Sequence, residues 1–124
     1  MVALGIDIIE IQRVERVVAR FGERFLQRVF TPAERQACRG RIFEYSARFA
    51  AKEATAKALG VGLRIMARDG IGFHEVEILP DPWGQPHVHL HGRAAERARA
   101  LGLTHWAVSM THDGGFAIAV VISI

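Results

Sequence analysis

The chain has 124 residues, half of them hydrophobic, which suits one packed core and is too apolar for a disordered tract. A formal charge of +3 and a single cysteine, Cys38, exclude a disulfide-stapled scaffold and point to a reducing, cytoplasmic setting. The basic residues are clustered: from Arg13 to Arg41 eight arginines stand against three glutamates, a local +5, which favours an acidic protein, a nucleic acid or a phosphorylated ligand.

Residues 2–9, VALGIDII, read as a short strand that is apolar on both faces. The N-terminus reaches a charge at Asp7 too soon for a signal peptide. Residues 10–21 have helical spacing, with Val14, Val17, Val18 and Phe21 on one stripe and Arg13, Arg16 and Arg20 on another. Gly22 breaks that helix, and residues 23–30 form a second short one. Thr31, Pro32 and Glu34 make a capping box that starts a helix at 32 and ends it near Gly40. Residues 42–59 form the longest helix, stopped at Gly60. Residues 71–79 alternate like a strand and pair with 87–91 across the turn PDPWGQP. A helix over 93–101 follows. A final hairpin joins 104–111 to 116–124 across HDGG. The last strand is the longest apolar run and is too short to cross a membrane. The expectation is a single α+β domain over 1–124, with a mostly antiparallel sheet packed on the long helix.

Three groups of residues invite a chemical reading. Asp7 lies in an apolar strand, where an ionised carboxylate is costly unless it is paired or binds a metal. Glu53 borders the alanine-rich face of the long helix, and the chain's two lysines, Lys52 and Lys57, flank it. A surface Glu–Lys pair four residues apart contributes only about 0.3–0.5 kcal/mol. Two carboxylates from separate elements with lysines nearby also fit a magnesium–phosphate site. The third group is His87, His89 and His91 on one strand face. Their spacing suits zinc or copper, or else a polar edge with Val88 and Leu90 turned inward. The arginine face leaves a nucleic-acid module as a further alternative, but the aromatic interleaving usual for such binding is missing, so no nucleic-acid partner is expected.

Several segments occur together in one known family. They are Gly5-Ile6-Asp7-Ile8 with Glu10 and Arg13, then Phe30-Thr31 with Glu34, then Arg48-Phe49-Ala50-Ala51-Lys52-Glu53-Ala54 with Lys57 and Gly60. Gly84-Gln85-Pro86 and Ser109 to His112 complete the set. In these, and over nearly its whole length, the chain closely resembles the small bacterial holo-[acyl-carrier-protein] synthases, a branch of the 4′-phosphopantetheinyl transferases. The resemblance implies that fold, and an enzyme of fatty acid biosynthesis. Such an enzyme moves the phosphopantetheine arm of coenzyme A onto a serine of apo acyl carrier protein, leaving adenosine 3′,5′-bisphosphate. It also implies that Asp7 and Glu53 bind Mg2+ at the catalytic centre and that Lys57 acts beside the phosphates; Glu53, directly or through a metal-bound water, is then the group expected to take the serine proton. Arg48, Lys52, Lys57, Gly84, Pro86, Thr111 and His112 fall at coenzyme A-binding positions. Arg13, Arg24, Phe25 and Arg28 fall where the acidic carrier protein docks. A homotrimer with active sites between subunits is implied as well. The chain departs from the family in having Thr111 where serine is usual, in Asp113-Gly114-Gly115, and in the His-x-His-x-His strand.

Overall fold

The computed structural model describes residues 1–63 and 70–124. Strand β1 (Ala3–Glu10) leads into helices α1 (Ile11–Phe21), α2 (Glu23–Val29), α3 (Pro32–Cys38) and α4 (Ile42–Ala58). A 3-10 turn at Phe73–Glu75 precedes β2 (Val76–Pro80) and β3 (Pro86–Leu90). Helix α5 (Gly92–Ala100) and strands β4 (Trp106–Asp113) and β5 (Phe116–Ser123) follow. The α+β class and the antiparallel pairing are as expected. The strands form two sheets, a three-stranded β1-β5-β4 and a separate β2-β3 hairpin.

Helix α4 runs across the three-stranded sheet because its buried face carries little more than methyl groups. Ala50, Ala51 and Ala54 are fully buried against Ala119 and Val121 of β5. Small side chains let a helix approach a sheet closely, and Gly5 takes this to its limit. A Cβ at Gly5 would lie 1.8 Å from the Ala54 carbonyl oxygen. The glycine two positions before Asp7 is therefore the contact that brings β1 onto α4.

The capping box on α3 is present: the Glu34 backbone N–H donates to Thr31 Oγ1 at 3.1 Å and the Thr31 N–H to Glu34 Oε1 at 2.9 Å. The β4–β5 turn is tighter than the sequence indicates. Asp113 pairs with Phe116, so the loop is Gly114-Gly115 alone, and both have positive φ, which matches the twist of a two-residue hairpin. Cys38 is fully buried, and burial pushes its thiol up to about 11.

The expected strand over 71–79 is corrected: its first half is the 3-10 turn. The Glu75 carboxylate takes backbone N–H groups from Gly72 and, at 2.5 Å, Arg93, while the Glu75 carbonyl accepts the His91 N–H at 2.8 Å. These bonds fold the segment back on itself before β2 begins. An alternating hydrophobic pattern does not register such side-chain bonds.

Replacing Gly5 with alanine is expected to destabilise the protein by about 3 kcal/mol, because a Cβ against a helix backbone cannot be relieved by a rotamer change. Urea denaturation followed by circular dichroism measures this. An unchanged midpoint would mean that α4 and β1 are not in this close contact.

Candidate active site

Side chains at odd positions of β1 point toward α4, which aims Asp7 at that helix. Its Oδ1 lies 2.9 Å from Lys57 Nζ, which also donates to the Ile6 carbonyl at 3.1 Å. One turn before Lys57, Glu53 faces the same space. Burial raises the pKa of the Glu53 carboxyl, the charge on Asp7 raises it further, and Lys57 opposes both. Asp7, Glu53, Arg13, Phe25 and Phe49 line one cavity of about 390 Å3. The structure thus brings the two carboxylates together with Arg13 and Phe25. A neighbouring apolar cavity of about 360 Å3 shares Val17, Phe25 and Phe49, and Arg24 and Arg28 stand among its lining residues.

A second group of expected residues meets elsewhere. Arg48, Gly84, Pro86, Thr111 and His112 line a separate cavity of about 360 Å3 between the start of α4, the β2–β3 turn and β4. Arg48 is nearly buried; its Nε donates to the Ile78 carbonyl at 3.2 Å and its Nη1 to Glu44 Oε2 at 2.5 Å. The turn is held by Asp81, whose Oδ1 accepts the Trp83 and Gln85 N–H groups at 2.9 and 3.0 Å. His87 at 2.9 Å completes that carboxylate's partners and holds its pKa down. This cavity shares no lining residue with the first. Phe43, Ala47 and Arg48 face one side of α4, and Phe49 and Glu53 face another.

Lys52 joins neither cavity. It is fully buried, and its ammonium donates to Glu34 Oε1 at 2.7 Å, the Phe73 carbonyl at 2.8 Å and the Val76 carbonyl at 2.5 Å. All three N–H bonds are used, so none remains for a coenzyme phosphate. Burial lowers its pKa, and Glu34 opposes that shift. Glu34 Oε2 also takes the Ile78 N–H at 2.9 Å. The phosphate-binding role expected of Lys52 is therefore corrected to a structural one. Its Glu34 partner, eighteen positions away, is legible in the sequence only as a helix cap.

Phe43 and Ser109 also line the second cavity, and no motif singles out Phe43. The three strand histidines are exposed; His87 pairs with Asp81 and His91 with Glu77 at 3.1 Å, while Val88 and Leu90 pack inward. Among the described residues no group of three or more His, Cys, Asp or Glu side chains is arranged to hold a metal. No described helix is long and apolar enough to cross a membrane.

A close-packed helix on an antiparallel sheet, with Asp7, Glu53 and Lys57 at their junction, places the chain in the α+β class. Residues 3–121 match the 4′-phosphopantetheinyl transferase superfamily, and the chain belongs to it. The holo-[acyl-carrier-protein] synthase of Herpetosiphon aurantiacus is 45% identical over 126 residues, covering 100% of this chain and 99% of its relative. That of Solidesulfovibrio magneticus is 49% identical over 96% of this chain and 94% of its own length. Among solved structures, the Helicobacter pylori holo-[acyl-carrier-protein] synthase in complex with coenzyme A superposes with a TM-score of 0.85. It is 35% identical, with 98% of this chain and 99% of that one covered.

Lys52→Met is expected to cost about 3–5 kcal/mol, since it strands the buried Glu34 carboxylate. At temperatures where the fold is intact, coenzyme A affinity should stay close to the parent's. Calorimetric melting paired with titration calorimetry separates the two effects. An unchanged melting temperature with lost coenzyme A affinity would return Lys52 to the ligand set.

Proposed function

We infer that the chain is a holo-[acyl-carrier-protein] synthase, a phosphopantetheinyl transferase of fatty acid biosynthesis. It transfers the 4′-phosphopantetheine of coenzyme A to a serine of apo acyl carrier protein. The observation that carries this reading is the carboxylate pair, Asp7 and Glu53, with Lys57 beside it, in a chain whose relatives of 45–49% identity carry that name. The serine oxygen forms a bond to the β-phosphorus of coenzyme A. The bond to the bridging oxygen of the pyrophosphate breaks, and adenosine 3′,5′-bisphosphate leaves. Glu53, made more basic by burial, accepts the serine proton. Lys57 offers a compact positive charge for a phosphate oxygen.

The donor set fits Mg2+. Asp7 and Glu53 supply hard carboxylate oxygens in a cavity with room for water, and the charge of one raises the proton affinity of the other, which a dication would relieve. Magnesium held there would neutralise charge on the pyrophosphate. The second cavity, with Arg48, Gly84, Pro86, Thr111 and His112, takes the nucleotide end of coenzyme A. The acidic carrier docks on α1 and α2, with Arg13, Arg24 and Arg28 for steering and Phe25 as an apolar anchor between the two adjacent cavities.

The assembly is a homotrimer with interfacial active sites. Two observations support it. The sheet face turned away from α4 exposes Leu4, Ile6 and Ile8 of β1 beside Val120 and Ile122 of β5, a continuous apolar patch. The two cavities also open on different sides of α4, so a second copy beside this face can supply the half that one chain lacks. Residues 1–124 act as one transferase domain. It works in the cytoplasm, in keeping with the buried, unpaired Cys38.

Incubating apo acyl carrier protein with this protein, coenzyme A and Mg2+ should add one phosphopantetheine by intact mass, and EDTA should abolish the gain. Asp7→Ala and Glu53→Ala should each lower turnover by at least about a hundredfold; full activity in both variants would remove the carboxylates from the mechanism. In a separate test, Arg24→Glu with Arg28→Glu should raise the KM for the carrier protein at least about tenfold and leave that for coenzyme A near the parent's. Equal rises in both would refute docking on α2.

A further inference from the structure

The cavity assigned above to the nucleotide is lined in part by an aromatic pair: the rings of Phe43 and His112 lie 4.7 Å apart, inclined at 36°, with Arg48 among the other lining residues. The Arg41 guanidinium sits 5.7 Å from the Phe43 ring centre. Arg41 is itself fixed, its Nε donating to the Cys38 carbonyl at 3.0 Å. Phe43 is not part of either hydrophobic core cluster. A large apolar ring at the first turn of α4, facing a cavity instead of the core, has no packing role that explains it.

We propose that Phe43 is a base-binding residue. With His112 it forms the wall on which the purine ring of the nucleotide stacks, and it sets the preference of the site for a purine over a smaller base. Coenzyme A has three chemically distinct parts: an anionic pyrophosphate and 3′-phosphate, a flexible amide chain, and one flat heterocycle. Only the heterocycle gains from a stacked aromatic wall. A purine overlaps such a wall over two fused rings and a pyrimidine over one, so loss of the phenyl group removes both affinity and discrimination. The inference rests on the proposed assignment of this cavity to the nucleotide end of coenzyme A.

Titration calorimetry with adenosine 3′,5′-bisphosphate and cytidine 3′,5′-bisphosphate tests it on the full chain. The parent should prefer the purine. Phe43→Ala and the bulk-preserving Phe43→Leu should each weaken adenosine bisphosphate about tenfold and bring the two ligands close together, while Phe43→Trp keeps the preference. In parent spectra the adenine H2 and H8 resonances should move upfield on binding and show cross-relaxation to the Phe43 ring protons. Parent-like affinity and preference in a folded Phe43→Leu would overturn the role of Phe43 and leave the transferase reading intact. No binding of either bisphosphate by the parent would overturn both.

Discussion

The contact between Gly5 and the backbone of α4 at Ala54 is the constraint on which the site depends. Asp7 sits two residues further along β1, on the same face, and Glu53 and Lys57 sit on α4 on either side of Ala54 along the chain. Spacing the helix from the strand by even one methyl group would pull the Asp7 carboxylate away from the Lys57 ammonium, now at 2.9 Å. The alanines at 50, 51 and 54 serve the same end. They contribute little area each, and what they provide is proximity. The polar groups of the site are thus set by the smallness of their neighbours.

Setting the helix-to-sheet distance leaves the rotation and slide of α4 open, and the buried Lys52–Glu34 pair restrains those. Lys52 reaches α3 through Glu34 and the start of β2 through two carbonyls, while Glu34 also holds the Ile78 N–H. Each polar atom in this group is satisfied, which makes a buried charge pair tolerable; replacing one member would leave the other uncompensated. Lys52 is adjacent in sequence to Glu53, so a lysine anchored on one side of α4 sets where the glutamate points on the other. The flanking lysines answer different needs. Lys52 fixes the helix from inside, and Lys57 meets Asp7 at the cavity edge.

How far the sequence discloses this depends on the range of the interaction. Local signals read correctly: the Thr31–Glu34 capping box, the stop after α4 at Gly60, and the inward Val88 and Leu90 behind the strand histidines. Asp7 and Glu53 stand out because carboxylates at the edge of apolar runs are locally anomalous. Pairings between distant positions do not read. Nothing near Lys52 indicates that its partner is Glu34, and nothing near Glu75 indicates that its carboxylate holds Gly72 and Arg93 and shortens a strand. Phe43 falls in the same class, because an aromatic in the first turn of a helix acquires meaning only when β4 places His112 against it.

The division of the candidate residues between two sides of α4 has a consequence for how activity is coupled to assembly. In one chain the carboxylates and the cavity beside Arg48 and His112 are separate, and the apolar outer face of β1 and β5 is uncovered. Burying that face is favourable by roughly 25 cal/mol per Å2 of apolar surface removed from water. On the trimeric reading, the free energy that holds the copies together also sets one copy's Asp7 and Glu53 opposite another's Arg48 and His112. Coenzyme A, with its nucleotide on one copy and its reacting pyrophosphate beside the carboxylates of another, would then span the seam. Substitutions on the outer face, at Ile6 or Val120 for example, would act on catalysis without touching substrate, because they would separate two halves that are each well formed. On that reading the alternation of β1 would have a reason on each side: Gly5 and Asp7 face the helix beside Glu53 and Lys57, and Leu4, Ile6 and Ile8 face outward, where a second copy would cover them.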